Sequence, residues 1–179
     1  MDTFIFLTLE KRAMTKVVLY SILFLSIFQF DKSTEISYQL KNEKLVYHLK
    51  MKNGKQLTVC IDKDDKYIVY RYGSKNKIEL EYPKEKDLSS FQKFEYSGWS
   101  RGGGIKNSAM KLKYLAFTNN GIKYVIYDTY FSEVNKLEAG IKVMESENKV
   151  TDLKGLKKSA KGNLSDLKDK VKEGDELYD

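Results

Sequence analysis

The chain has 179 residues and a formal charge of +7, with 32 Lys and Arg against 25 Asp and Glu. A hydrophobic fraction of 41%, with 13 tyrosines and 9 phenylalanines, excludes a disordered chain. A single cysteine, Cys60, and a single histidine, His48, exclude an internal disulfide and the four-cysteine or Cys2His2 zinc sites.

The first feature along the chain is an apolar run, Val17–Phe28, with Lys11, Arg12 and Lys16 before it and Asp31 after it. A basic flank, a short apolar stretch and then polar sequence is the order of a secretory signal. The run is shorter than the roughly 20 residues of a membrane span. The reading is therefore a signal over residues 1–30, translation starting at Met14, and a mature chain without a transmembrane span, periplasmic or secreted. No small-x-small cleavage site follows, the exit reading Ile27-Phe28-Gln29-Phe30-Asp31.

Residues 31–179 read as one β-rich domain, because from Ile36 onward the apolar period is two. Leu45–Leu49 starts a strand, and Asn53-Gly54 is a hairpin signal. The returning strand alternates Leu57, Val59 and Ile61 with Thr58 and Cys60. Asp62–Lys66 is a polar turn, and Tyr67–Tyr72 is a third strand. Ile78, Leu80 and Tyr82 make a fourth, stopped by Pro83, the one proline in the chain. Lys84–Ser90 is a polar connection and Phe91–Tyr96 a fifth strand. Leu112–Thr118 and Ile122–Phe131 are strands joined by Asn119-Asn120-Gly121. Ala139–Met144 follows, with a short strand at Lys149–Leu153. Leu164, Leu167 and Val171 have the spacing of a short C-terminal helix, and Gly174–Asp179 is a tail. About eight strands with frequent turn signals predict an all-β fold, an antiparallel sandwich or barrel.

The segment Tyr96-Ser97-Gly98-Trp99-Ser100-Arg101-Gly102-Gly103-Gly104 is the candidate binding site. It holds the one tryptophan of the chain and one of the arginines, the others being Arg12 and Arg71. Trp and Arg dominate binding hot spots, and glycines let a backbone approach a partner closely. The candidate binding residues are Tyr96, Ser97, Trp99, Ser100, Arg101, Gly102, Gly103 and Gly104, read as a projecting loop. The opposing reading is a structural loop whose Trp99 plugs the core. No Gly-Lys-Ser/Thr follows, so this is not a phosphate-binding P-loop.

Catalytic residues are not assigned. A serine nucleophile needs a base, and His48 reads as an ordinary surface or edge strand residue. Asp62, Asp64 and Asp65 crowd one turn but lack the pattern of a calcium loop, and Lys63 and Lys66 oppose them. Glu79, Glu81 and Asp128 are the carboxylates available to a hydrolase. Lysines dispersed among acids, with few arginines, argue against nucleic acid; the charge suits a solvated surface or an anionic envelope. Cys60 reads as a packed small hydrophobe, and the strand tyrosines are candidates for an exposed row. No metal site and no cofactor motif is read from the sequence.

Tyr70-Arg71-Tyr72-Gly73, Ile78–Pro83, Tyr96–Gly104 and Asn119-Asn120-Gly121 with Tyr124–Tyr127 resemble a group of small uncharacterised exported bacterial β-proteins, over roughly Val69–Gly162. In general design the chain also resembles periplasmic lysozyme inhibitors, which block an enzyme cleft with a loop. The first resemblance implies export; the Ser97–Gly104 segment itself points to a non-enzymatic binding protein acting on a protein or glycan of the bacterial envelope, an inhibitor or immunity role being one version. An envelope hydrolase and a structural envelope component are the alternatives.

Overall fold

In the computed structural model, which describes residues 38–105, 107–146 and 148–176, β-branched and aromatic residues at period two form eleven strands in two sheets. They are β1 (Glu43–Lys50), β2 (Gln56–Asp62), β3 (Ile68–Ser74), β4 (Lys77–Tyr82), β5 (Glu95–Arg101), β6 (Met110–Asn119), β7 (Ile122–Phe131), β8 (Lys136–Ser146), β9 (Lys149–Lys154), β10 (Lys161–Gly162) and β11 (Lys172–Glu173). The first sheet has the order β10-β1-β2-β3-β4 and the second β11-β5-β6-β7-β8-β9. This is an all-β sandwich, one of the two architectures expected. The apolar run Val17–Phe28 and the start at Met14 lie outside the described residues.

Hairpin chemistry sets the meander. Asn120 and Gly121 have φ of 51° and 78°, the positive pair that a two-residue turn between β6 and β7 requires. Gly54, φ 81°, serves the β1–β2 turn and donates to the Met51 carbonyl. Every pairing is antiparallel except β11 on β5, which is parallel.

The inner faces share one core. Leu49, Leu57, Val59, Ile61, Ile68 and Tyr70 from the first sheet meet Tyr96, Leu115, Phe117, Ile126 and Ile141 from the second. Phe117 is its aromatic centre, stacked on Tyr82 at 4.6 Å and on Tyr124 at 4.9 Å, with Phe94 edge-on at 5.4 Å. Offset and edge-to-face aromatic pairs of this kind each add about 1 kcal/mol beyond burial.

Three expectations are corrected. Phe91–Tyr96 is not one strand: Leu88–Lys93 is a 3-10 turn, and β5 begins at Glu95. Asp87 caps the turn by accepting from the Ser89 N–H, Ser90 Oγ accepts from the Ile68 N–H, and Phe91 and Phe94 go into the core. The C-terminal helix is a single 3-10 turn, Leu164–Leu167, capped by Asn163. Leu164 and Leu167 still reach the core. The turn ends at Lys168, whose ψ of 136° leaves the helical region; Asp169 follows at a φ of 68°, and the chain then runs alongside β5 as β11. The strand count rises from about eight to eleven chiefly through the two-residue strands β10 and β11.

Candidate functional site

The segment read as a projecting loop is mostly strand. β5 continues to Arg101, paired with Met110 of β6, so only Gly102, Gly103 and Gly104 of the candidates lie in the connection. Tyr96 points into the core, and its hydroxyl donates to Ser165 Oγ at 3.2 Å. Gly98 lies on the same face beneath the Tyr96 ring, where a Cβ would collide with it. Ser97 is buried on the opposite face. The alternation thus separates the candidates: Tyr96, Gly98 and Ser100 on the inner side, Ser97, Trp99 and Arg101 on the outer side.

Trp99 is 42% exposed. It does not plug the core. The Arg101 guanidinium lies 5.6 Å from its ring centroid, a cation–π distance, and Arg101 Nε donates to the Ser108 carbonyl at 3.1 Å. A mutual backbone hydrogen-bond pair between Gly104 and Asn107 closes the connection.

Beside this strand end the inner face of the second sheet changes character. On β6, Phe117 and Leu115 lie in the core, and the next residues of the same phase are Lys113 and Lys111. Their β7 partners are Asp128 and Tyr130. A cleft of about 400 Å³ runs along the β5 side, lined by Trp99, Ser100, Lys111, Lys113, Lys168 and Glu173, among others. A second, of about 670 Å³, shares Lys111 and Lys113 and continues past Asp128, Tyr130, Lys157 and Asn163.

Asp128 anchors this region. It accepts from the Tyr47 hydroxyl at 2.9 Å and forms an ion pair with Lys157. Burial and the adjacent Asp128 carboxylate push the Tyr47 phenol far above its ordinary range, so it is a fixed donor. Lys113 Nζ donates to Asn163 Oδ1 at 2.7 Å. Sequence reasoning named Asp128 but missed Lys111, Lys113, Lys157, Tyr47 and Asn163. One signal was readable: Lys111 and Lys113 keep the phase of Leu115 and Phe117, so they share the core-facing side.

The other conspicuous charges lie on the outer face of the first sheet. Arg71, 1% exposed, pairs with Glu43 through Nη1 at 2.7 Å and Nη2 at 2.8 Å, and with Glu81 through Nε at 2.6 Å. Its Nη1 also donates to the Tyr38 carbonyl. Glu43 in turn accepts from the Tyr67 hydroxyl and the Leu40 N–H. Burial pushes the Glu43 carboxyl up, but the Arg71 guanidinium and these donors outweigh it and hold it below the ordinary range. The site is a satisfied ionic knot.

His48 is buried rather than at the surface, its Nδ1 3.1 Å from Thr58 Oγ1. Burial, with Lys161 and Lys50 nearby, lowers its pKa and so favours the neutral ring. Cys60 is buried against Tyr67, Val69 and Leu45, and burial pushes its thiol up to about 12. The tyrosines are mainly interior: Tyr47, Tyr67, Tyr70, Tyr96, Tyr114 and Tyr127 are all buried, so they form no exposed row. Glu79 pairs with Lys55 at 2.5 Å. Asp62 accepts from Asn42 Nδ2 and the Asp64 N–H, ordering its own turn. Among the described residues, no group of three or more His, Cys, Asp or Glu could hold a metal ion. Among the same residues, no helix is long and apolar enough to cross a membrane.

No protein-family model, no curated protein and no solved structure matches this chain.

Proposed function

We propose that this chain is an exported, non-enzymatic binding protein that engages a protein or glycan of the bacterial envelope through the outer end of β5. The inhibitor or immunity role is one form of this reading. The observation that carries it is Trp99, exposed on a paired strand with the Arg101 guanidinium over its ring. An exposed indole stacked with a guanidinium offers a large rigid contact surface of the type that dominates hot spots, and strand pairing holds it ready at low entropic cost.

Binding is favoured over hydrolysis by the placement of the acids. Glu79 and Glu81 alternate with the core-packed Leu80 and Tyr82 on β4, so they face outward from the first sheet, whereas Asp128 lies on the inner side of the second. Each is already paired with a lysine or arginine. A glycosidase-type pair needs two carboxyls converging on one cleft.

The test is recovery of envelope components on immobilised protein, wild type against Trp99→Ala with Arg101→Ala. The reading predicts that a component held by the wild type is lost from the double variant, while circular dichroism shows both folded. Equal recovery from both would sink it.

A further inference from the structure

The inner face of a sandwich sheet is normally apolar, because an ammonium group taken from water costs several kcal/mol unless it is paired or left wet. On β6 the inward phase runs Phe117, Leu115, Lys113, Lys111. The two lysines sit about 7 Å apart by strand rise, on one side of one strand. Across the cleft stands Lys157, so three ammonium groups border a space with one carboxylate, Asp128. That carboxylate is already engaged by Lys157 and the Tyr47 hydroxyl. On the β5 side Lys168 and Glu173 add one charge of each sign.

Several lysines elsewhere are spent on ion pairs. Lys44, Lys55, Lys93, Lys149 and Lys154 each hold a carboxylate within 3 Å. Lys113 instead donates to a neutral amide oxygen, which positions its ammonium without neutralising it. Lys111 is exposed and has no ion-pair partner among the described residues. Two cations of one phase, Lys113 held by Asn163 and Lys111 open to solvent, border Tyr130 and Ser100 and stand where both could reach the oxygens of one anion.

We propose that Lys111 and Lys113, with Lys157 behind them, form an anion subsite that takes a phosphate or carboxylate group of the bound ligand. This rests on the binding reading above and supplies the chemistry of what is bound. Asp128 acts as a positioning residue, holding Lys157 and the Tyr47 hydroxyl at the wall while Lys111 and Lys113 stay available.

The experiment is calorimetric titration of the folded protein with two probes, pyrophosphate and trigalacturonate, and with neutral maltotriose as reference. The wild type is expected to bind at least one anionic probe and not maltotriose. A phosphate source gives pyrophosphate the advantage, a uronate source gives it to trigalacturonate, and added salt weakens either. Lys111→Gln with Lys113→Gln removes two charge-assisted contacts and is expected to weaken binding about tenfold or more. Lys44→Gln with Lys55→Gln, which removes the same charge from paired positions, should stay within about twofold. Absence of anion binding by the wild type overturns the proposal, as does equal weakening by both double variants. The small probes do not require the Trp99 partner. Absent anion binding together with partner loss from the Trp99 and Arg101 variant would therefore strike the subsite alone. Anion binding with unchanged partner recovery would strike the Trp99 reading alone.

Discussion

Two cationic regions of this molecule obey opposite rules. Around Arg71 one guanidinium is buried with two carboxylates and a carbonyl, which take four of its five N–H donors. Around Lys111 and Lys113 the cations outnumber the carboxylates and stay in reach of solvent. The first arrangement can only hold the sheet together, since anything binding there would have to break it. The second leaves attraction unspent, which is the requirement for recognising something else. On the proposed reading, a cleft that gathers cations beyond its carboxylates, not charge alone, locates the site.

The comparison breaks most visibly at Arg71. Arg71→Met strands Glu43 in the interior, and urea unfolding should show a loss of about 3–5 kcal/mol. Lys111→Gln, at the other region, should change stability by less than about 0.5 kcal/mol in the same assay. Acid titration sharpens the contrast. Glu43 and Glu81 are held below their ordinary value of 4.5, each pushed up by burial and pulled down further by its cationic partners. Their contribution is thus fully present above 4.5 and lost as pH falls through the depressed folded values. In Arg71→Met the Glu43 carboxyl has lost its partner, so protonation relieves it. Urea midpoints of wild type and variant should converge as pH drops below 4.5; a constant gap would contradict the knot.

A smaller effect is expected at the seam between the two behaviours. Tyr47→Phe removes one of the two donors to Asp128 and should cost about 1 kcal/mol by urea unfolding. The smallest readout is chemical. Cys60 lies on the outer face near Glu43, with its thiol pushed up to about 12 by burial. It should resist a thiol reagent in the native state and react at the rate of opening. Arg71→Met should speed that reaction, whereas Lys111→Gln should not. Fast labelling of the wild-type protein would mean that the knot does not close this face.

Much of the fold was legible because its signals are local. Asn53-Gly54 and Asn120-Gly121 carry the positive φ their turns need, and alternation marks strands without tertiary help. The C-terminal turn misled because a 3-10 turn also brings residues three apart to one side, so Leu164 and Leu167 fit either geometry. Phe91–Tyr96 misled because aromatics favour strands, while the Asp87 cap and the Ser90 link to Ile68 prevailed locally. In the candidate site Trp99 and Arg101 stood out by rarity. Ser97 did not lie with them on an exposed loop, because β6 extends far enough to pair with β5 as far as Arg101. Lys111 and Lys113 were obscured by a different limit. Alternation says which side a residue faces, but not where the opposing sheet ends and the core gives way to a cleft.

The central claim, that the Lys111 and Lys113 cleft takes an anion and the Arg71 knot does not, is tested most directly by mapping amide chemical shifts while pyrophosphate or trigalacturonate is added. The account predicts changes at Gly98–Arg101, Lys111–Lys113, Asp128–Tyr130 and Lys157–Asn163, and none at Glu43, Thr58 or Arg71. Changes centred on Arg71 and its sheet, or none with either probe, would contradict it.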